Sequence, residues 1–179
     1  SLRSRNLVYN CKSSGFHQHY GEGNLISNNI FVNGFLAQLE ATRVEDHLSF
    51  TFCNNIVCYK EGCMYGIKWD QCRSDVHSNL YWNQAGEVSF NGLTMDEWRS
   101  APGKDTGSVI ADPCFKDIDA SDFTIVDTKA AESIGFVPFD YSQSGVYGSE
   151  EWRNLAVLDP ARIAEYESVV DGYMKRIRP

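Results

Sequence analysis

The feature that most constrains this chain is an asparagine frame recurring at nearly even spacing. "NLVYN" begins at Asn6, "NIFVN" at Asn29, "NIVCY" at Asn55 and "NLYWN" at Asn79, in steps of 23, 26 and 24 residues. In each frame Asn is followed by Ile or Leu and then by further apolar or aromatic residues. In two frames another Asn comes directly before, Asn28 and Asn54. A fixed period of this length marks a repeat architecture. The apolar runs are short, β-branched and aromatic, separated by Gly, Asn and Ser, and lack the 3.6-residue period of a helix. Each unit reads as strand, sharp bend, strand, loop, and such units stack coil on coil into a parallel β-helix.

Stacking explains the choice of Asn. Adjacent coils lie about 4.8 Å apart along the hydrogen-bonding direction. An Asn at the same bend of each coil can donate its amide to the Asn carbonyl of the next, building a ladder along the axis. Asn also tolerates the left-handed backbone that a tight bend requires.

With 179 residues the chain is about one domain, and 42% hydrophobic residues can fill a core. Its net charge of −8 argues against nucleic acid, which needs a basic footprint. No apolar run approaches the roughly 20 residues of a membrane span. The six cysteines, Cys11, Cys53, Cys58, Cys63, Cys72 and Cys114, form no zinc-type C-x-x-C pair. They are expected to be reduced and mostly buried, since free Cys packs like a small hydrophobe.

The coils are expected to occupy residues 1–88, an irregular cap with short strands 89–158, and a helix 159–179. Within the cap, "DFTIVD" reads as a strand, Trp98 and Trp152 as plugs for the core's end, and Asp105 and Asp112 as turn formers. Asp159 suits an N-cap and Pro160 a first turn, followed by an apolar stripe of Ile163, Tyr166, Val170, Tyr173 and Ile177. Lys175, Arg176 and Arg178 suit the helix C-terminus. At the other end, Ser1 opens on polar sequence with no apolar targeting segment. An open first coil would expose both core and strand edges. Further N-terminal β-helix coils are therefore expected as a partner, absent from this chain or supplied by another.

Three segments, "GFHQHYGEGNLISNNIF", "HLSFTFCNNIVCYKEG" and "SNLYWN", resemble the last coils of right-handed parallel β-helix proteins. The tail "SVIADPCFKDIDASDFTIVDTKAAESIGFVPFDYSQSGVYG" resembles how carbohydrate-active members of that group end. The likeness spans roughly Asn6 to Trp152. It is most similar to β-helix glycoside hydrolases, of the kind that includes fucosidases and xylosidases on plant glycans. The usual Ser-Pro-Ala before the Gly-Phe turn reads Ala130-Ala131-Glu132 here. The resemblance implies an all-β fold, the C-terminal coils of a right-handed parallel β-helix with an irregular cap and a C-terminal α-helix. It also implies a carbohydrate cleft along the side, acid catalysis by two carboxylates, and secretion or a periplasmic location. Scattered cysteines suit a cytoplasm equally well.

The repeat itself selects candidate site residues. Ten residues before the ladder Asn stand His19, Glu45 and Trp69; nine before stand Tyr20, Asp46 and Asp70. With equal loops these fall in neighbouring columns on one face. Aromatic rings stack on sugar C–H groups, and carboxylates and imidazoles bond hydroxyls. Asp46 and Asp70, one coil apart, are the candidate catalytic pair, within reach of either glycosidase spacing. His17, His19, Tyr20, Glu22, Glu45 and Trp69 are the candidate substrate contacts. His17 and His19 flank Gln18 and, in a strand, point the same way; no third metal ligand stands at the right spacing. No cofactor or metal is expected. The alternatives are a non-catalytic glycan-binding or structural β-helix and, second, a polysaccharide lyase. A lyase of this fold would bring Ca²⁺ ligands onto one coil, and no dense Asp cluster is present.

Overall fold

A computed structural model describes residues 1–100 and 104–177; Arg178, expected at the end of the terminal helix, lies outside them. The chain forms two compact units, Ser1–Phe139 and a second that begins at Asp140. The first is a parallel β-solenoid. Its first coil holds β1 (Leu2–Ser4), β2 (Leu7–Tyr9) and β3 (Ser14–Gln18). The second holds β4 (Asn24–Ser27), β5 (Ile30–Val32) and β6 (Ala37–Ala41). The third holds β7 (Phe50–Cys53), β8 (Ile56–Tyr59) and β9 (Cys63–Tyr65). The fourth has β10 (Ser74–His77) and β11 (Leu80–Asn83), then α1 (Met95–Arg99). After it come β12 (Lys104–Thr106) and β13 (Val109–Ile110). An antiparallel hairpin, β14 (Phe115–Asp117) and β15 (Asp122–Ile125), and α2 (Lys129–Ser133) complete the unit.

Equivalent strands stack into three parallel sheets, β1-β4-β7-β10-β12, β2-β5-β8-β11-β13 and β3-β6-β9. The third sheet was not expected from the sequence: each coil has three sides, not two. β1, β2 and β3 each pair with a strand on one side only.

The asparagine ladder is present. Each ladder Asn donates both its backbone N–H and its Nδ2 to the Oδ1 of the next. Asn6 reaches Asn29 at 3.0 and 2.8 Å, Asn29 reaches Asn55 at 3.0 and 2.9 Å, and Asn55 reaches Asn79 at 3.0 and 3.2 Å. The column ends on Ser108, whose Oγ accepts the N–H of Asn79 at 2.9 Å. Asn29, Asn55 and Asn79 are buried, so these bonds replace water that cannot reach them. The left-handed residue is the one before each ladder Asn: Arg5, Asn28, Asn54 and Ser78, with φ near +55° (55, 57, 54 and 53). The first Asn of each pair is thus the bend former, and the ladder Asn that follows it is not left-handed.

Strand alternation divides the second sheet in two. Phe31, Val57 and Tyr81 face the core, where aromatic rings follow one another along the axis. Phe50 and Trp69 lie 5.0 Å apart, Tyr65 and Trp69 5.3 Å, and Tyr65 and Trp98 5.1 Å between centroids. Each such ring contributes about 1.5–3 kcal/mol on burial. The outward set, Ile30, Val32, Ile56, Cys58 and Leu80, is buried as well, beneath the tail carrying Phe123, Ala131, Ile134 and Phe136. Phe123 meets Tyr9 of β2 at 5.1 Å. Asn28 clamps the tail backbone, donating Nδ2 to the Val137 carbonyl at 2.8 Å and accepting the Val137 N–H at 2.6 Å. Asn54 donates to the Ile134 carbonyl. The bend-forming asparagines therefore hold the strap that covers this side.

All six cysteines are free; Cys53, Cys58 and Cys72 are buried, whereas Cys63 is exposed. The second unit carries α3 (Glu150–Asn154) and α4 (Pro160–Ile177). Asp159 accepts the Ala161 N–H at 2.9 Å, as an N-cap should. Trp98 is in the core, whereas Trp152 belongs to the second unit. Asp105 is no mere turn former: it is fully buried, and its carboxylate closes the core's end.

Candidate functional site

The tail covers the second sheet, while the side built on β3 and β6 carries polar, solvent-facing groups. His17 pairs in register with Glu40, and Gln18 with Ala41. Beyond β6 the chain turns at Thr42, whose hydroxyl lies 2.8 Å from Nε2 of His17 and 2.7 Å from Nδ1 of His19. The two histidines do share a face, brought together by a residue that sequence spacing did not single out. Glu40, largely shielded at 13% side-chain exposure, places Oε1 3.9 Å from Nδ1 of His17.

The exposed Tyr20 ring stands edge-on to His19 at 4.7 Å, with the Arg43 guanidinium over it at 5.1 Å. Next to it, Glu45 accepts the N–H of Gly21 at 3.1 Å and lies 3.5 Å from Nε2 of His47, itself 3.3 Å from the Gly21 carbonyl. These contacts pin the loop after β3 to the loop after β6.

A hollow of about 540 Å³ at the end of the first coil touches His17, His19 and Tyr20, but Val8, Phe16, Ile26 and Phe31 in its lining belong to the core of the coils, so the candidate site is the polar cluster on the side of β3 and β6.

The other expected residues fall elsewhere. Glu22 is exposed in the loop after β3. Trp69 is 1% exposed and packs inside the core, so it presents no ring to a ligand. Counting back from the ladder failed there because Lys68 takes a left-handed conformation and starts a short 3-10 turn, Trp69–Gln71, which rolls the indole inward. Asp70 is exposed on that turn. Asp46 points into solvent and meets Arg73, which reaches its carboxylate at 3.7 Å and its carbonyl at 2.6 Å. The carboxylates that border the imidazole–tyrosine cluster are Glu40 and Glu45.

A second polar centre escaped the sequence reading. The buried Asp105 carboxylate accepts from Tyr81 Oη at 2.6 Å, Trp98 Nε1 at 2.7 Å, Ser108 Oγ at 2.9 Å and Tyr65 Oη at 3.0 Å. Burial, then the Asp105 charge, holds both tyrosine hydroxyls well above their usual pKa. All four donors are spent on one group and none faces solvent, so this centre is structural.

Among the described residues no group of three or more His, Cys, Asp or Glu side chains is arranged to hold a metal, and no helix is long and apolar enough to cross a membrane. No family model matches the chain, and no curated protein or solved structure matches it either. The fold defines a parallel β-solenoid protein, and its function has to be read from the site.

Proposed function

We propose that the imidazole–tyrosine cluster of His17, His19 and Tyr20 binds carbohydrate, as part of a β-solenoid that acts on plant or other complex glycans. The observation that carries this reading is the composition of that cluster: the exposed Tyr20 ring for sugar C–H faces, with His17, His19 and Arg43 beside it for sugar hydroxyls. Hydrolysis would need two carboxylates at the bound sugar. Glu40 and Glu45, next to the cluster, are better placed for it than the solvent-facing Asp46. A purely glycan-binding module is the second reading, favoured by the ion pairs that already occupy Glu45 and Asp46.

The test is an amide NMR titration of the chain with xylo-, fuco-, gluco- and galacto-oligosaccharides, alongside hydrolysis assays on the matching aryl glycosides. Shifts concentrated at Phe16–Tyr20 and Thr42 with one sugar class support the reading. Hydrolysis lost in Glu40→Gln or Glu45→Gln makes it catalytic, and binding without turnover makes it a binding module. No shift with any of the sugars would overturn it.

A further inference from the structure

We propose that His17, Thr42 and His19 form a one-way hydrogen-bond relay whose direction is set by the Glu40 carboxylate beside His17. It leaves Nε2 of His19 as a bare acceptor, suited to a ligand hydroxyl group. The direction follows from counting protons. A threonine hydroxyl has one proton to give, and each neutral imidazole carries one N–H. Thr42 Oγ touches both rings, at 2.8 Å to Nε2 of His17 and 2.7 Å to Nδ1 of His19. Two arrangements satisfy both bonds: the hydroxyl donates to His17 and accepts from His19, or the reverse.

Glu40 decides between them. A carboxylate only accepts, and its Oε1 lies 3.9 Å from Nδ1 of His17 with little solvent access. A proton on Nδ1 is attracted to it, whereas a lone pair there would face a negative charge. With Nδ1 protonated, Nε2 of His17 must accept from Thr42. The single proton of Thr42 is then used, so Nδ1 of His19 must be the donor. What remains is the lone pair on Nε2 of His19, a ring nitrogen with no partner among the described residues.

The charged and titratable groups around the relay are few. Tyr20 stacks edge-on against His19 and holds Arg43 over its ring. Glu45 and His47 pair with each other and with Gly21 in the adjoining loop. Nothing among them places a second carboxylate against His17 that would reverse the direction. The ligand chemistry implied is a hydroxyl that donates, which rests on the carbohydrate reading above; the relay itself does not.

Long-range ¹H–¹⁵N correlation of the imidazole rings, at a pH where they are neutral, tests the relay without any ligand. The expected result is His17 and His19 both in the Nδ1–H form, the minority tautomer of a free imidazole. Glu40→Lys places a donor with no acceptor beside His17, so it should reverse the relay and move the His19 proton to Nε2. Thr42→Val removes the link and should return His19 to the Nε2–H form; an unchanged amide spectrum shows that each variant is folded. A wild-type His19 in the Nε2–H form, or a His19 tautomer unmoved by Glu40→Lys in a folded chain, overturns the relay. If an oligosaccharide binds, Glu40→Lys should weaken it about tenfold, the loss of one hydrogen bond. A confirmed tautomer with no sugar bound would sink the carbohydrate reading and leave the relay intact.

Discussion

Asn29 donates its backbone N–H and its side-chain amide to one atom, Oδ1 of Asn55, at 3.0 and 2.9 Å. Asn55 also donates to the Ile26 carbonyl at 3.0 Å in the same coil as Asn29 and to Oδ1 of Asn79 in the next coil at 3.2 Å. One buried amide therefore joins three coils. Asn55→Ala should leave several buried partners unsatisfied and cost about 3–5 kcal/mol. Asn6, exposed and at the first coil, accepts no ladder bond, and Asn6→Ala should cost about 1 kcal/mol or less. Urea unfolding of the two variants side by side checks the contrast. Equal losses would mean that the ladder adds nothing beyond local bend geometry.

Asp105→Asn keeps the shape of the buried carboxylate but replaces one accepting oxygen with a donor. Either the donors from Trp98 and Tyr65, which share Oδ2, or those from Tyr81 and Ser108, which share Oδ1, then meet an N–H instead of a lone pair. The expected loss is on the order of 3 kcal/mol, with tryptophan near-UV signals altered around Trp98. Unfolding followed by near-UV circular dichroism measures it, and an unchanged midpoint would contradict the assigned network.

Alkaline pH should unfold the solenoid through its buried phenols. Burial pushes Tyr59 up to about 12, and burial with the Asp105 charge pushes Tyr65 and Tyr81 well above the ordinary value of 10. Above pH 10 the unfolded chain releases these protons while the native chain keeps them. Stability is therefore complete below pH 10 and falls as pH rises past it. Absorbance at 295 nm should show these three of the nine tyrosines ionising only with unfolding. Smooth titration of all nine in a folded chain would refute the burial.

Thiol reactivity should follow burial. Desolvation raises the Cys58 thiol to about 12; it raises the thiol of Cys63 as well, but Cys63, the first residue of β9, lies exposed to a reagent. A disulfide reagent at pH 8 should modify Cys63 in the native chain and leave Cys58 untouched until denaturant is added. Mass mapping of the labelled cysteines reports the order; early labelling of Cys58 would show that the second sheet opens locally.

The ladder was legible because a stacked column imposes one side-chain chemistry on every coil, and the four asparagines write it out. The third sheet was not. Its strands, "SGFHQ", "AQLEA" and "CMY", share no residue pattern, and "AQLEA" is made of good helix formers. Pairing with neighbouring coils overrides that preference. Within the site, the alternation of His17 and His19 was visible along the strand. Thr42, which joins them, lies 25 and 23 residues away and could be found only in space. Asp105 was missed for the same reason, since Tyr65 and Tyr81 reach it across 40 and 24 residues. The offset that placed Trp69 on the surface assumed equal loops, and the turn at Lys68 broke that assumption.

Every amide in the ladder points the same way, so the solenoid axis is a vector with unequal ends. The run passes from Asn79 to the Ser108 hydroxyl, which gives its proton to the buried Asp105 carboxylate, itself taking three further donors. The N–H groups of the column therefore all point towards the end that holds the anion, and the positive side of each amide helps to hold that charge inside the core.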